Sequence, residues 1–414
     1  SDLTVDLDAA YSVGALTAGH ADHKLTFGGA GAFNTSGADW NMQGVVEFDI
    51  DVGMGNFKDL DGNADALTII DTTSTFTSSR QPRLRHPFRI AGVFNVSADV
   101  LQIRDRLEIA TDGNMTNTTI GLHGGGGWAL AAFGGDRSVN ESINRTGNRS
   151  GKFDGTNGND LALDGNHTLG AIGAASTGST SLEVDTSKLT LAGTLALVQN
   201  DGFHEHPVRL TNGGTFELAA QSATSGIDLV VDGHGALLLN NTAGSATGTG
   251  NTLVVGRQNY VASSDVTLGG TGSIDSALIV GGGGTVSPGN SVGTLSVGAT
   301  TFEPGSSFVW ETDGSSTDLL AIDGNLTIDD NFSIDMIALG DQTVGTFDLM
   351  AFTGDFTGNI SAWDFTLPDG YTADGLSLSA TGDAIQIDNL FIPEPTTAVL
   401  LAFGGLALLR RTRR

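Results

Sequence analysis

The sequence predicts an all-β chain wound as a β-solenoid, and three observations carry that prediction. Short apolar–polar–apolar or apolar triplets recur along it, among them Leu189-Thr190-Leu191, Phe216-Glu217-Leu218, Leu253-Val254-Val255 and Leu295-Ser296-Val297. Gly, Asn, Asp or Ser stands between nearly all of them. Few segments place Ala, Leu, Glu and Lys at helical spacing. The starts of successive triplets are 8 to 27 residues apart, so there is no strict repeat. Irregular coils with Gly- and Asn-rich corners give that signal, whereas an antiparallel sandwich, the second choice, would need steadier hairpin spacing.

Composition narrows the function. The chain has 414 residues, 60 of them Gly, and 39% hydrophobic residues, enough to bury a core rather than remain disordered. Its net charge is −28, and the four Arg and one Glu of residues 392–414 leave −31 on residues 1–391. Such a body repels nucleic acid and suits cations; the simpler reading is that acidity keeps a Gly-rich β surface soluble and unpaired. No Lys or Arg occurs between Gln258 and Leu409, and ten basic residues crowd between Arg80 and Lys152. Cysteine is absent, which excludes disulfides and thiol chemistry. The opening Ser1-Asp2-Leu3 has no basic or apolar leader and reads as a mature or trimmed N-terminus.

The most specific feature is the tail. Ile392-Pro393-Glu394-Pro395-Thr396-Thr397 precedes the uncharged run Ala398 to Leu409, and Arg410, Arg411, Arg413 and Arg414 follow. Pro-Glu-Pro blocks β pairing and supplies an extended link. Residues 396–409 would span about 21 Å as a helix, short of a ~30 Å hydrocarbon core unless the arginines snorkel. This predicts a short C-terminal transmembrane helix with the Arg cluster cytoplasmic and residues 1–391 outside that membrane. The three-part order resembles the PEP-CTERM sorting signal of Gram-negative bacteria. The resemblance implies export, an inner-membrane-anchored intermediate, processing near Pro393-Glu394-Pro395 by an exosortase-type enzyme, and delivery to the cell surface or an exopolysaccharide-rich matrix.

The body carries a second resemblance. Gly270-Thr271-Gly272-Ser273-Ile274, the glycines 281–284, and Thr285-Val286-Ser287-Pro288-Gly289-Asn290-Ser291 are similar to the autotransporter-associated β-strand repeat. Phe308-Val309-Trp310-Glu311 and Asp318 through Ile328 fit the same family. That similarity implies a right-handed parallel β-helix over roughly residues 185–330. The expected organisation is an N-terminal β region at 1–115, either a cap or a small domain, a solenoid at 116–300, a C-terminal β region at 301–391, and the tail at 392–414. Arg80, Arg83, Arg85, His86 and Arg89 read as a loop that pairs with the acidic remainder, with an anionic-polysaccharide site as the alternative.

Sites for chemistry are weak. His123-Gly124-Gly125-Gly126 and Gly289-Asn290-Ser291-Val292-Gly293 match the oxyanion loop and nucleophile elbow of hydrolases, but no helical pattern follows Ser291. Asp59, Asp61, Asn63 and Asp65 alternate as calcium ligands do, yet Ala64 replaces the required Gly and Ile70 the closing Glu. A metal-free Asx turn is the expectation there and calcium the alternative. His204-Glu205-His206 lacks a third zinc ligand. Twelve of 24 Asn residues lie in Asn-x-Ser/Thr sequons, which suit polar corners as well as glycosylation. No catalytic residue is therefore assigned and no cofactor is expected. The sequence points to a structural or adhesive surface protein whose partners are the processing enzyme, the inner membrane and matrix polymers such as exopolysaccharide. A secreted polysaccharide-acting β-helix enzyme is the rival, and a calcium-dependent matrix binder a third reading.

Overall fold

A computed structural model describes residues 2–390 apart from short segments, most of them within 97–204 and the longest 171–181. Those segments and residues 391–414 lie outside the description, and between 114 and 170 only the backbone of the strands is described. The described chain is an all-β solenoid. Its one helical element is a single 3-10 turn, Ile360–Ala362. Among the described residues no helix is long and apolar enough to cross a membrane, and the predicted tail helix falls outside them.

The first coil shows the plan. Leu3–Leu7, Ala10–Val13 and Leu16–Gly19 follow one another, and each pairs in parallel with its equivalent in the second coil: Leu25–Gly29, Ala32–Thr35 and Trp40–Gln43. Three strands per coil give three ladders. The first runs on through Val45–Phe48, Leu67–Ile70, Phe88–Ile90, Arg106–Ile109 and Ala129–Phe133, so the same ladder passes residue 115 without a break. Coil length varies: Phe88 stacks on Leu107, 19 residues on, whereas Phe153 stacks on Val184, 31 residues on. The extra residues are inserted between strands, which is why the triplet spacing looks irregular in sequence.

Strands alternate inward and outward, so in-register coils set each inward side chain over its own equivalent about 4.8 Å away. Val5, Phe27, Phe48, Ile70, Ile90 and Ile109 form one such column. Phe33, Val52, Phe76 and Phe94 form another, with the Phe76 and Phe94 rings parallel at 4.5 Å. Trp40, wholly buried, closes the space between them against Phe48 and Phe76. Aromatic stacks of this kind add to simple burial.

After residue 204 several strands are longer and bend around corners instead of breaking. Glu205–Leu218 and Asp228–Leu239 each serve two faces, as do Thr294–Phe302 and Leu319–Ile328. Gly233 shows the cost of such a corner. Its φ is 108°, and a Cβ there would lie 2.1 Å from the Leu210 carbonyl oxygen of the coil below. Parallel stacking ends with the coil formed by Phe356–Gly358, Asp364–Thr366 and strand Gly345–Phe352. That strand pairs in parallel with Leu319–Ile328 on one side and antiparallel with Ala384–Leu390 on the other, and Gly375–Leu378 completes the antiparallel group. Reversed strands cannot continue the coil, so they close this end.

Truncation of Phe76 to Ala removes contacts to two aromatic neighbours in a core without room to collapse. The expected cost is about 3–5 kcal/mol, read as a lower urea midpoint by circular dichroism. A midpoint unchanged from wild type would mean that the column does not hold the coils together.

Candidate functional site: an acidic groove over the C-terminal coils

A concavity with a volume of about 480 Å³ lies on the outside of the last coils. Its floor follows from register. Ser273 pairs with Ser296, Ser296 with Ala321, Ala321 with Ala351, and Ala351 with Ala384. Five small outward side chains in a row leave a channel where longer ones would fill it. Gly298 beside them has no room for a side chain, because a Cβ would meet the Ser276 carbonyl oxygen at 2.4 Å.

Four exposed aspartates rim the channel: Asp275, Asp323, Asp348 and Asp383. Neutral groups hold three of them. Thr353 Oγ1 donates to Asp323 at 3.0 Å, and Gln386 Nε2 donates to Asp348 at 2.6 Å. The Thr381 hydroxyl and then that of Ser379 keep the Asp383 carboxyl below the usual carboxylate range. The sequence offers these coils no Lys or Arg after Arg257, and Arg257 itself is engaged with Glu303. The groove is therefore negative, which favours cations and hydroxyl-rich ligands and opposes anions.

The strongest perturbed acid is elsewhere. Asp318 is fully buried where a surface loop returns to the coil. Its carboxylate accepts from Gly293 N at 2.8 Å and Glu311 N at 2.9 Å, while Trp310 Nε1 donates to its carbonyl oxygen. Burial pushes its carboxyl up to about 7, against the two backbone N–H groups that favour charge. A raised acid inside a cleft would suggest catalysis. Asp318 is not among the residues that line the groove, and it ties two loops to one strand. Glu217 is a second such tie: it accepts from Thr190 Oγ1 at 2.8 Å and from Asn240, and pairs with Lys188 Nζ at 2.7 Å, which joins three coils. Burial works to raise its carboxyl, but the bonds from Asn240, Lys188 and Thr190 outweigh burial and lower it.

The residues singled out in sequence scatter. Asp59 and Asp61 lie on strand Asp59–Gly62, paired to Trp40–Gln43 and Arg83–Leu84, while Asn63 and Asp65 lie outside the described residues. Among the described residues no group of three or more His, Asp or Glu is placed to hold a metal ion. His123 and His204 are outside them, and His206 sits on strand Glu205–Leu218. Ser291 is exposed in a bend that leads into strand Thr294–Phe302, so the strand–turn–helix of a nucleophile elbow is not present there. The basic cluster is no single loop. Arg83 and Arg89 stand on different faces, Arg89 and Arg106 both pair with Glu108, and His86 turns inward to Thr68 Oγ1 at 2.8 Å. Pro393, Glu394, Pro395 and the four tail arginines lie outside the described residues. No protein-family model matches the chain, and no curated protein sequence matches it.

Two pH dependences of opposite sign follow. Because the Asp318 carboxyl is raised in the fold from an ordinary 3.8 to about 7, its stabilising contribution is complete below about pH 4 and is lost as pH rises to 7. Wild type should therefore lose stability relative to an Asp318→Asn variant across that window in denaturant titrations. The Glu217 carboxyl is lowered from 4.5, so its contribution is present above that pH and disappears as pH falls through the lower value in the fold. A Glu217→Gln variant should show a shallower acid limb; a parallel limb would refute the tie.

Proposed function

We propose that this chain is an exported surface or extracellular-matrix protein that works by presenting a long acidic solenoid, not by catalysis. The observation that carries the proposal is the tail: Pro393-Glu394-Pro395, an uncharged run, then Arg410, Arg411, Arg413 and Arg414. Its similarity to a PEP-CTERM signal supports sorting by an exosortase-type enzyme through a short transmembrane helix. The right-handed sense of the coil belongs to the same proposal, through the similarity to autotransporter-associated repeats. The β-solenoid body agrees with this reading, since a rigid rod whose outer faces are polar is suited to display and to contact with matrix polymers. Calcium at Asp59, Asp61, Asn63 and Asp65 is not needed for it.

The rival, a polysaccharide-acting enzyme, gains one specific support: the groove rimmed by Asp323, Asp348 and Asp383 could seat a sugar chain between carboxylates. It is discriminated by assaying polysaccharide cleavage with wild type and an Asp323→Asn/Asp348→Asn double variant. Cleavage that the double variant lacks would replace the display reading with the enzymatic one.

Sorting is tested by fractionating the native host and identifying the C-terminal peptide in each fraction by mass spectrometry. Surface or matrix material should end near Pro393 and lack 398–414. Intact Arg-ended chain confined to the cytoplasm would overturn the proposal.

A further inference from the structure

Strand Glu205–Leu218 turns the corner between two faces, and its ladders slip there. Towards the next coil the register jumps from Leu210 opposite Gly233 to Gly214 opposite Gly235. Towards the preceding coil the register also shifts, from Asp185 opposite Thr211 to Lys188 opposite Thr215. Asn212 and Gly213 fall in the slip toward the next coil and bulge outward, both exposed. Both are left-handed, with φ of 51° and 79°, and nothing lies within 4 Å of where a Gly213 Cβ would point. The Asn212 side chain anchors the bulge, its Nδ2 donating to Asp185 Oδ1 at 2.6 Å. Asp185 is 7% exposed, so this contact covers a nearly buried carboxylate.

An Asn followed by Gly has a known weakness in general chemistry. The following backbone nitrogen, unhindered by a side chain, attacks the Asn Cγ after losing its proton. The new N–C bond closes a five-membered succinimide, and the amide leaves as ammonia. Water then adds to either ring carbonyl, giving aspartate or isoaspartate. No oxidant or reductant is involved. Here the slip takes both residues out of the ladder toward the next coil, and the open space beside Gly213 leaves the backbone room to rotate toward the attacking geometry.

We propose that Asn212-Gly213 is a self-modification site whose conversion to an aspartyl or isoaspartyl linkage releases the corner from Asp185. The product replaces an N–H donor by a carboxylate facing the carboxylate it had bonded, and the isoaspartyl form adds a carbon to the backbone at the corner. Repulsion between the two acids loosens one coil in the middle of the rod. Asn331 and Asn389 are built-in comparisons. They are left-handed too, at φ of 60° and 46°, but Phe332 and Leu390 follow them and obstruct the attack.

The test incubates the full folded chain in mildly alkaline buffer and follows each Asn by peptide mass spectrometry. Residue 212 should gain the amide-to-acid mass difference as two separable isomers, several-fold faster than Asn331 or Asn389, and Gly213→Ala should slow it several-fold. An Asn212→Asp chain should have a lowered thermal midpoint, restored when Asp185→Asn is added. Asn212 remaining an amide while the urea-unfolded chain converts would overturn the site. An unchanged midpoint for Asn212→Asp would overturn the release.

Discussion

In-register stacking of parallel coils is the constraint on which the rest of this molecule depends. Each residue must tolerate its own equivalent directly above and below. Inside, that favours columns of one character: Phe27 on Phe48, Phe76 on Phe94, Ile70 on Ile90. Outside, it can set opposite charges one coil step apart. Glu183 pairs with Arg209 at 3.7 Å and Glu217 with Lys188, each across one coil step. The same rule leaves no room at corners where one backbone crosses close over another, hence glycine at 233 and 298. It also gives the stack no reason to stop, which explains why the C-terminal end carries strands of reversed direction.

The period-two alternation that produces these columns is visible in the sequence, so the all-β solenoid is legible there. Three strands per coil are not, because coil length ranges from 18 to 31 residues and hides any repeat. Residues 1–115 look different in sequence mainly because their inward columns are aromatic and their corners shorter; they stack by the same rule. His86 was misleading for a definable reason. Flanked by Arg85 and Arg89 it reads as part of a basic surface, whereas a corner residue next to a strand can turn in, and it does so to meet Thr68 in the core.

The groove was not legible at all. Its floor is Ser and Ala drawn from four coils and the closing strand, residues that carry no signal singly and acquire a shape only through register. Its rim is four of 47 acidic residues. Asp318 was hidden in the same crowd: nothing in Thr317-Asp318-Leu319 marks it as buried, since its solvation comes from the backbone of Gly293 and Glu311, which the fold alone brings together.

These two ways of settling an acid divide the rod. Up to Arg257, carboxylates can be neutralised by Lys or Arg one coil away, an attraction that salt screens. Beyond it the sequence supplies no cation before the tail. The carboxylates there are held by hydroxyls, amides and backbone N–H groups, as at Asp313, Asp318 and Asp383. Such bonds are short-ranged and nearly indifferent to salt, but they leave the negative charge in place. The C-terminal third therefore keeps its full field while remaining ordered. A display surface meant to meet cations or hydroxyl-rich polymers gains from that arrangement, because its acids are fixed in position without being cancelled.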